Sequence, residues 1–237
     1  MRGTQLNVGM SNRKIGRAGG LNDAEQSLRV QTQSVIREAI VDGGFHAGQK
    51  LTERTLSEIT GVSRSSIREA LSHLEATGLV VRQPHRGYTV AKLDPRSIFE
   101  IFELRAAVET LAAELFTERA SEQEVNDIKA AIESLQHGVQ AGDLGKISSA
   151  KDQFYSALFS GCRNREIQKA LECVIDRVYY LRRQLMSDPD RAQASLKEMS
   201  RLAQALVERD KDAARIASIA HLESARFALY SHMTCPS

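Results

Sequence analysis

Between residues 61 and 71 the chain reads Gly-Val-Ser-Arg-Ser-Ser-Ile-Arg-Glu-Ala-Leu, and no other stretch constrains the fold as tightly. Gly61 is placed to close one helix. Ser63 is a good N-cap for the next, because its hydroxyl can accept from a first-turn amide that has no partner inside the helix. Ile67, Leu71 and Leu74 then recur at i, i+4 and i+7, a single apolar stripe. Arg64, Ser65, Ser66 and Arg68 fall off that stripe and crowd the first turn and a half. A helix end carrying two guanidinium groups, hydroxyls and unpaired amides suits phosphates and base edges. The stretch predicts a recognition helix for nucleic acid.

The surrounding sequence builds a domain around that helix. A helix is predicted over Ser27 to Asp42, burying Leu28, Val35, Ile36, Ala39 and Ile40 and stopping at Gly43-Gly44. Thr52 caps a second helix, Glu53 to Thr60, with Leu56 and Ile59 inward. The recognition helix runs on to Gly78. Leu79 to Arg82 and Tyr88 to Ala91 are β-prone runs flanking Gln83-Pro84-His85-Arg86-Gly87, a hairpin whose tip would touch the minor groove or the backbone. Three helices and a two-stranded hairpin make a winged helix-turn-helix over residues 27–92. Residues 1–26, rich in Gly, Asn and Ser and holding Arg2, Arg13, Lys14 and Arg17, read as a flexible basic arm.

Charge agrees with this division. Residues 1–92 hold 13 Lys and Arg against 8 Asp and Glu, whereas residues 93–237 hold 19 against 22. The basic excess lies in the part that carries the recognition helix, as an electrostatic footprint for nucleic acid requires.

Lys92-Leu93 reads as a linker, and Asp94-Pro95 is an N-cap followed by Pro at the first helical position. Beyond it no stretch alternates like a strand. Helices are predicted over Pro95–Glu118, Glu122–Gln140, Leu144–Ser160, Arg165–Ser187, Asp190–Arg209 and Lys211–Ser231, an all-α bundle over residues 93–237. Cys162, Cys173 and Cys235 are widely spaced without a CxxC, which suits a reducing compartment such as the cytoplasm and gives neither a disulfide framework nor a zinc knuckle. No 18-residue apolar run and no secretory leader is present, so no membrane association is expected. The chain has no nucleophile elbow, no phosphate-binding glycine loop, no HExxH and no paired catalytic carboxylates, so no catalytic residues and no enzyme activity are expected.

The run Val35-Ile36-Arg37-Glu38-Ala39-Ile40, Leu51-Thr52-Glu53-Arg54, Gly61-Val62-Ser63-Arg64, Ile67-Arg68-Glu69-Ala70-Leu71, Gly78-Leu79-Val80 and Arg86-Gly87-Tyr88-Thr89-Val90 resembles the DNA-binding domain of GntR-family bacterial transcription regulators. Ala47-Gly48 departs from the family's usual Pro-Gly. The helical part, with Leu104-Arg105, Glu109, Ala112-Ala113 and Ala220-His221-Leu222, is similar to the FCD effector domain of the FadR subfamily. The resemblance implies a homodimer on a pseudo-palindromic double-stranded operator, with a small molecule in the helical domain altering DNA affinity. It carries the DNA contacts onto Arg54, Ser63, Arg64, Ser65, Ser66 and Arg68, and onto His85, Arg86 and Gly87 of the wing.

Many FCD domains hold a divalent metal through Asp-x-x-Phe-His, Glu-His and a final His-Leu. Anchored on Phe154, this chain puts Lys151 at the Asp position, Tyr155 at the first His and Met199 at the second, leaving only His221. A cation and a thioether cannot replace hard oxygen and nitrogen ligands. Asp152 is one residue along, turned roughly 100° away. No metal and no cofactor are therefore expected. The same positions, Arg105, Lys151, Tyr155, Met199 and His221, are expected to line an effector site, with Arg105 and Lys151 receiving a carboxylate or phosphate. Two readings of Arg105 stand: that ligand contact, or an internal pair with Glu109 at i, i+4. His221 likewise reads either as a site residue or as a hydrogen-bonded core histidine. The whole predicts a repressor that responds to a small anionic metabolite; the alternative is a DNA-binding regulator whose helical domain only dimerises.

Overall fold

The computed structural model describes residues 21–84 and 87–234, and the chain divides into two compact units between Lys92 and Leu93. The first holds α1 (Leu21–Val41), β1 (Lys50–Leu51), α2 (Glu53–Thr60), α3 (Arg64–Ala76), β2 (Val80–Gln83) and β3 (Gly87–Val90). The helix-turn-helix is built as the residues dictate. Thr52 Oγ1 caps α2 by accepting from the Thr55 amide at 3.1 Å, and Gly61 ends it with φ at +71°, a conformation that costs glycine little. Ser63 caps α3 by accepting from the Ser66 amide at 3.3 Å. Ile67, Leu71 and Leu74 are completely buried against Ile36, Ile40 and Leu56.

Three details differ from the sequence reading. The first helix starts at Leu21, six residues ahead of Ser27 and inside the stretch expected to be an arm; residues 1–20 lie outside the described residues. Val35 faces solvent, because α3 takes the Ile36–Ile40 side of α1. The wing is a three-stranded antiparallel sheet, not a two-stranded hairpin: β1 pairs with β3 through Lys50–Thr89 and Leu51–Tyr88, giving the order β1-β3-β2. A two-residue strand has no periodicity of its own, so nothing local announces it. His85 and Arg86, at the wing tip, lie outside the described residues.

The second unit is all helix among the described residues: α4 (Pro95–Arg119), α5 (Glu122–Gln140), α6 (Leu144–Gly161), α7 (Arg165–Glu172), α8 (Ile175–Met186), α9 (Pro189–Val207) and α10 (Lys211–Thr234). Asp94, Asp143, Asn164 and Asp188 cap four of them through side-chain oxygens. Glu124 reaches back from α5 to the Ser121 amide at 2.9 Å. The predicted helix over Arg165–Ser187 is two helices, broken at Cys173-Val174. Ile167, Leu171, Val174, Val178, Leu181 and Leu185 form one unbroken buried stripe, so apolar spacing gave no sign of the break. Phe116 from α4, Ile128 and Leu135 from α5, and Ile147, Phe154 and Leu158 from α6 fill the centre of the core. Gly161 lets α6 approach the Phe116 ring so closely that a Cβ there would overlap it. No helix among the described residues is long and apolar enough to cross a membrane.

Candidate functional site

In the first unit, the start of α3 is an open polar surface. Arg64, Ser65 and Arg68 are exposed and Ser66 is half-buried. The Ser63 hydroxyl lies 2.9 Å from that of Ser65 and 3.0 Å from that of Ser66, a cluster of donors and acceptors at a helix N-terminus, where the dipole favours anions. Gly87 is exposed where β3 begins. Arg54 is exposed on α2 and pairs with Glu58 at 3.3 Å, a surface pair too weak to hold it against a phosphate.

Arg68 is different. Its Nε and Nη2 donate to Glu53 Oε1 and Oε2 at 2.7 and 2.9 Å, a two-point grip across the turn from α3 to α2. The hydrogen bond from Arg68 holds the Glu53 carboxyl below the usual carboxylate range against the opposing effect of burial, with the Arg68 and Arg64 charges adding to it. In the sequence Glu53 marks only the start of a helix and carries no functional role, since an acidic residue in a first turn is accounted for by the helix dipole alone.

In the second unit, charged side chains are gathered in the interior. Arg105 on α4 donates from Nε to Glu109 at 2.6 Å and from Nη2 to the Tyr155 hydroxyl on α6 at 3.3 Å. Of the two readings of Arg105, the pair with Glu109 is therefore present. On α10, His221 Nδ1 lies 2.8 Å from Glu198 on α9. The same carboxylate receives both Nη atoms of Arg191 at 2.8 and 2.7 Å and the Ser224 hydroxyl at 2.6 Å. Burial raises the Glu198 pKa, but the bonds from His221, Arg191 and Ser224 outweigh it and hold it at about 2. Burial, with the Lys151 and Arg105 charges behind it, lowers His221 to about 4 against the pull of Glu198. A carboxylate only accepts, so neutral His221 carries its proton on Nδ1 and keeps a free lone pair on Nε2.

Lys151 on α6 is 3% exposed, and its ammonium donates to the Ser195 hydroxyl at 2.7 Å. Among the described residues no carboxylate comes within ion-pair distance of it. Burial and the charges of Arg182, Arg191 and Arg105 push its pKa well below the usual lysine value, with only Glu198 opposing. Arg182 stacks over the Tyr155 ring at 3.8 Å. Arg191 Nε is buried with no hydrogen-bond partner. Arg105, Lys151, Tyr155 and His221 thus meet in one cluster, whereas Met199 is wholly buried as part of the apolar core. Arg182, Arg191, Ser195 and Glu198 were not anticipated. The spacing of 191, 195 and 198 along α9 is one helical face, and polar residues on it were the available signal.

The donor set does not fit a divalent cation. An ammonium has three donors and no lone pair, and the His221 nitrogen nearest the carboxylate is already used. Among the described residues no three of His, Cys, Asp and Glu are arranged as metal ligands.

Comparison with known proteins gives both units a family. Residues 28–90 match the bacterial regulatory proteins of the gntR family, and residues 100–224 match the FCD domain. The chain is 28% identical over 193 residues to the HTH-type transcriptional regulator YdhC of Bacillus subtilis, covering 81% of this chain and 86% of that one. It is 27% identical over 161 residues to the HTH-type transcriptional repressor GlaR of Escherichia coli, covering 64% and 73%. The solved structure of E. coli McbR/YncC shares the fold, with a TM-score of 0.77 at 22% identity over 87% of this chain and 98% of that one.

Proposed function

The chain belongs to the gntR family of bacterial regulatory proteins, as a DNA-binding transcriptional regulator with an FCD domain and no enzyme, and on that premise we propose that it is a ligand-responsive repressor. It binds a pseudo-palindromic operator as a cytoplasmic homodimer, and a small anionic metabolite in the helical unit changes its grip. Arg54, Ser63, Arg64, Ser65, Ser66 and Arg68 face the major groove and its phosphates, and His85, Arg86 and Gly87 form the wing contact. One recognition helix covers a half-site, so a specific operator calls for two, about one helical turn apart. Phe99 and Leu111 on α4 and Ile216, Phe227 and Tyr230 on α10 are exposed apolar residues on two helices that pack together, and they support a self-association surface. The name of the relative GlaR supports the assignment as repressor.

The observation that carries the effector reading is the Lys151 ammonium, buried beside three arginines with a single hydroxyl as partner. A buried cation is costly unless an anion meets it: without one the amine is driven toward its neutral form, and an anion beside it restores the charge. Glu109 and Glu198 are already held by Arg105 and Arg191, so the missing negative charge is one a ligand brings. Its carboxylate or phosphate would sit against Lys151, within reach of the free Nε of Arg191. Thermal-shift titration with small carboxylates and phosphate esters tests this. A saturable rise in melting temperature, abolished in Lys151→Met, supports it. A flat response across such a panel, with operator binding intact, favours a helical unit that only dimerises.

A further inference from the structure

We infer that Glu53 is a positioning residue for sequence readout, fixing the Arg68 guanidinium so that its far edge, and not its whole fork, meets the DNA. The inference rests on the reading that Arg68 contacts a base. A guanidinium has two edges able to make paired hydrogen bonds: one made of Nε–H and one N–H of Nη2, the other of Nη1 and the second N–H of Nη2. Glu53 occupies the first edge through both its oxygens. The second edge is left as two parallel donors, the arrangement that matches O6 and N7 of guanine in the major groove.

Two further observations make the grip directional. Glu53 is anchored in the first turn of a capped helix and its side chain is 28% exposed, whereas that of Arg68 is 65% exposed. The carboxylate is the fixed end of the pair and the arginine the presented end. Tyr88, buried on β3, lies close enough to Arg68 to act weakly on its charge, so the exposed guanidinium stands near the wing sheet. A long side chain frozen before binding loses less freedom when it docks.

The carboxylate also has a cost that separates this role from simple charge attraction. A negative group beside DNA opposes every phosphate nearby, whatever the sequence. A protein that used Arg68 only to neutralise backbone charge would bind better without Glu53. Beyond the helix-dipole contribution that any first-turn acid makes, an acid at this place is useful where direction matters, at a base edge.

The test uses the full chain and two duplexes: the strongest sequence it selects from a random pool, and a scrambled version of it. Glu53→Gln keeps the shape and removes the charge; Glu53→Asp keeps the charge but is too short to span Nε and Nη2, and serves if the first variant unfolds. Either variant should bind the selected duplex about tenfold more weakly, the weight of one well-made base contact. On the scrambled duplex it should bind as well as the parent or better. Discrimination should relax at the same base pair as in Arg68→Ala, and Glu53→Gln should have no further effect in the Arg68→Ala background. Unchanged or tighter binding to the selected duplex overturns the inference, as does an equal loss on both duplexes. If Arg68→Ala itself binds the selected duplex normally, the base-contact reading of Arg68 fails and the role of Glu53 with it, a result distinct from failure of Glu53→Gln alone.

Discussion

His221 on α10 is tied to Glu198 on α9 by a 2.8 Å hydrogen bond from Nδ1 to Oε2, and the same carboxylate binds Arg191 and Ser224. One carboxylate thereby joins two helices at the centre of the helical unit, and its charge state sets whether that joint holds.

Acid should loosen it in two overlapping windows. His221 has its folded pKa lowered from 6.5 to about 4, so between these values the unfolded chain binds the extra proton and folding weakens as pH falls. Glu198 is lowered from 4.5 to about 2, so its contribution is present above 4.5 and is lost as pH falls toward 2. Both act in the same direction. Chemical denaturation at pH 7 and pH 5 should show a loss on the order of 1–2 kcal/mol from His221 alone. The difference should shrink in His221→Gln. A pH-independent midpoint over that range would contradict it.

Removing the Lys151 ammonium should stabilise the free protein. Methionine is one atom shorter and carries no polar head, so the change removes a buried polar cost of roughly 1–3 kcal/mol, less about 1 kcal/mol for the Ser195 hydroxyl left without its donor. Differential scanning calorimetry of Lys151→Met without ligand should show a rise of several degrees. A fall would mean that the cluster carries the charge at no cost.

Gly161→Ala should be among the most damaging small substitutions in the helical unit. The added methyl overlaps the completely buried Phe116 ring and also meets Ala120. Overpacking of this kind costs about 1–3 kcal/mol. Urea unfolding gives the midpoint shift directly, and truncating Phe116 to Leu in the same chain should recover part of it.

On the DNA side, Arg64→Ala should weaken operator binding by about 1–3 kcal/mol if the arginine reads a guanine, and relax preference at that base pair. Arg54→Ala, a phosphate contact in this scheme, should weaken selected and scrambled duplexes alike and lower the salt slope by about one unit. Filter binding across a salt series separates the two behaviours. Identical effects of both variants on both duplexes would remove the distinction.

What the sequence determined by itself is what lies within one or two helical turns. The caps at Thr52, Ser63 and Asp94, the stripe Ile67-Leu71-Leu74 and the hydroxyl and arginine cluster beside it are contiguous signals, and they placed the recognition helix and the helical bundle with ends correct to within a few residues. The Arg105–Glu109 pair, four residues apart, was legible as one of two readings for the same reason. Only the tertiary structure decided that two-residue β1 pairs with β3, that Glu53 holds Arg68 from fifteen residues away, and that Lys151 finds Ser195 and no carboxylate. Each of these depends on which helix or strand a distant segment packs against. Residue spacing along one helix or strand fixes which side chains share a face, but the partner of that face is chosen by the packing of the whole unit.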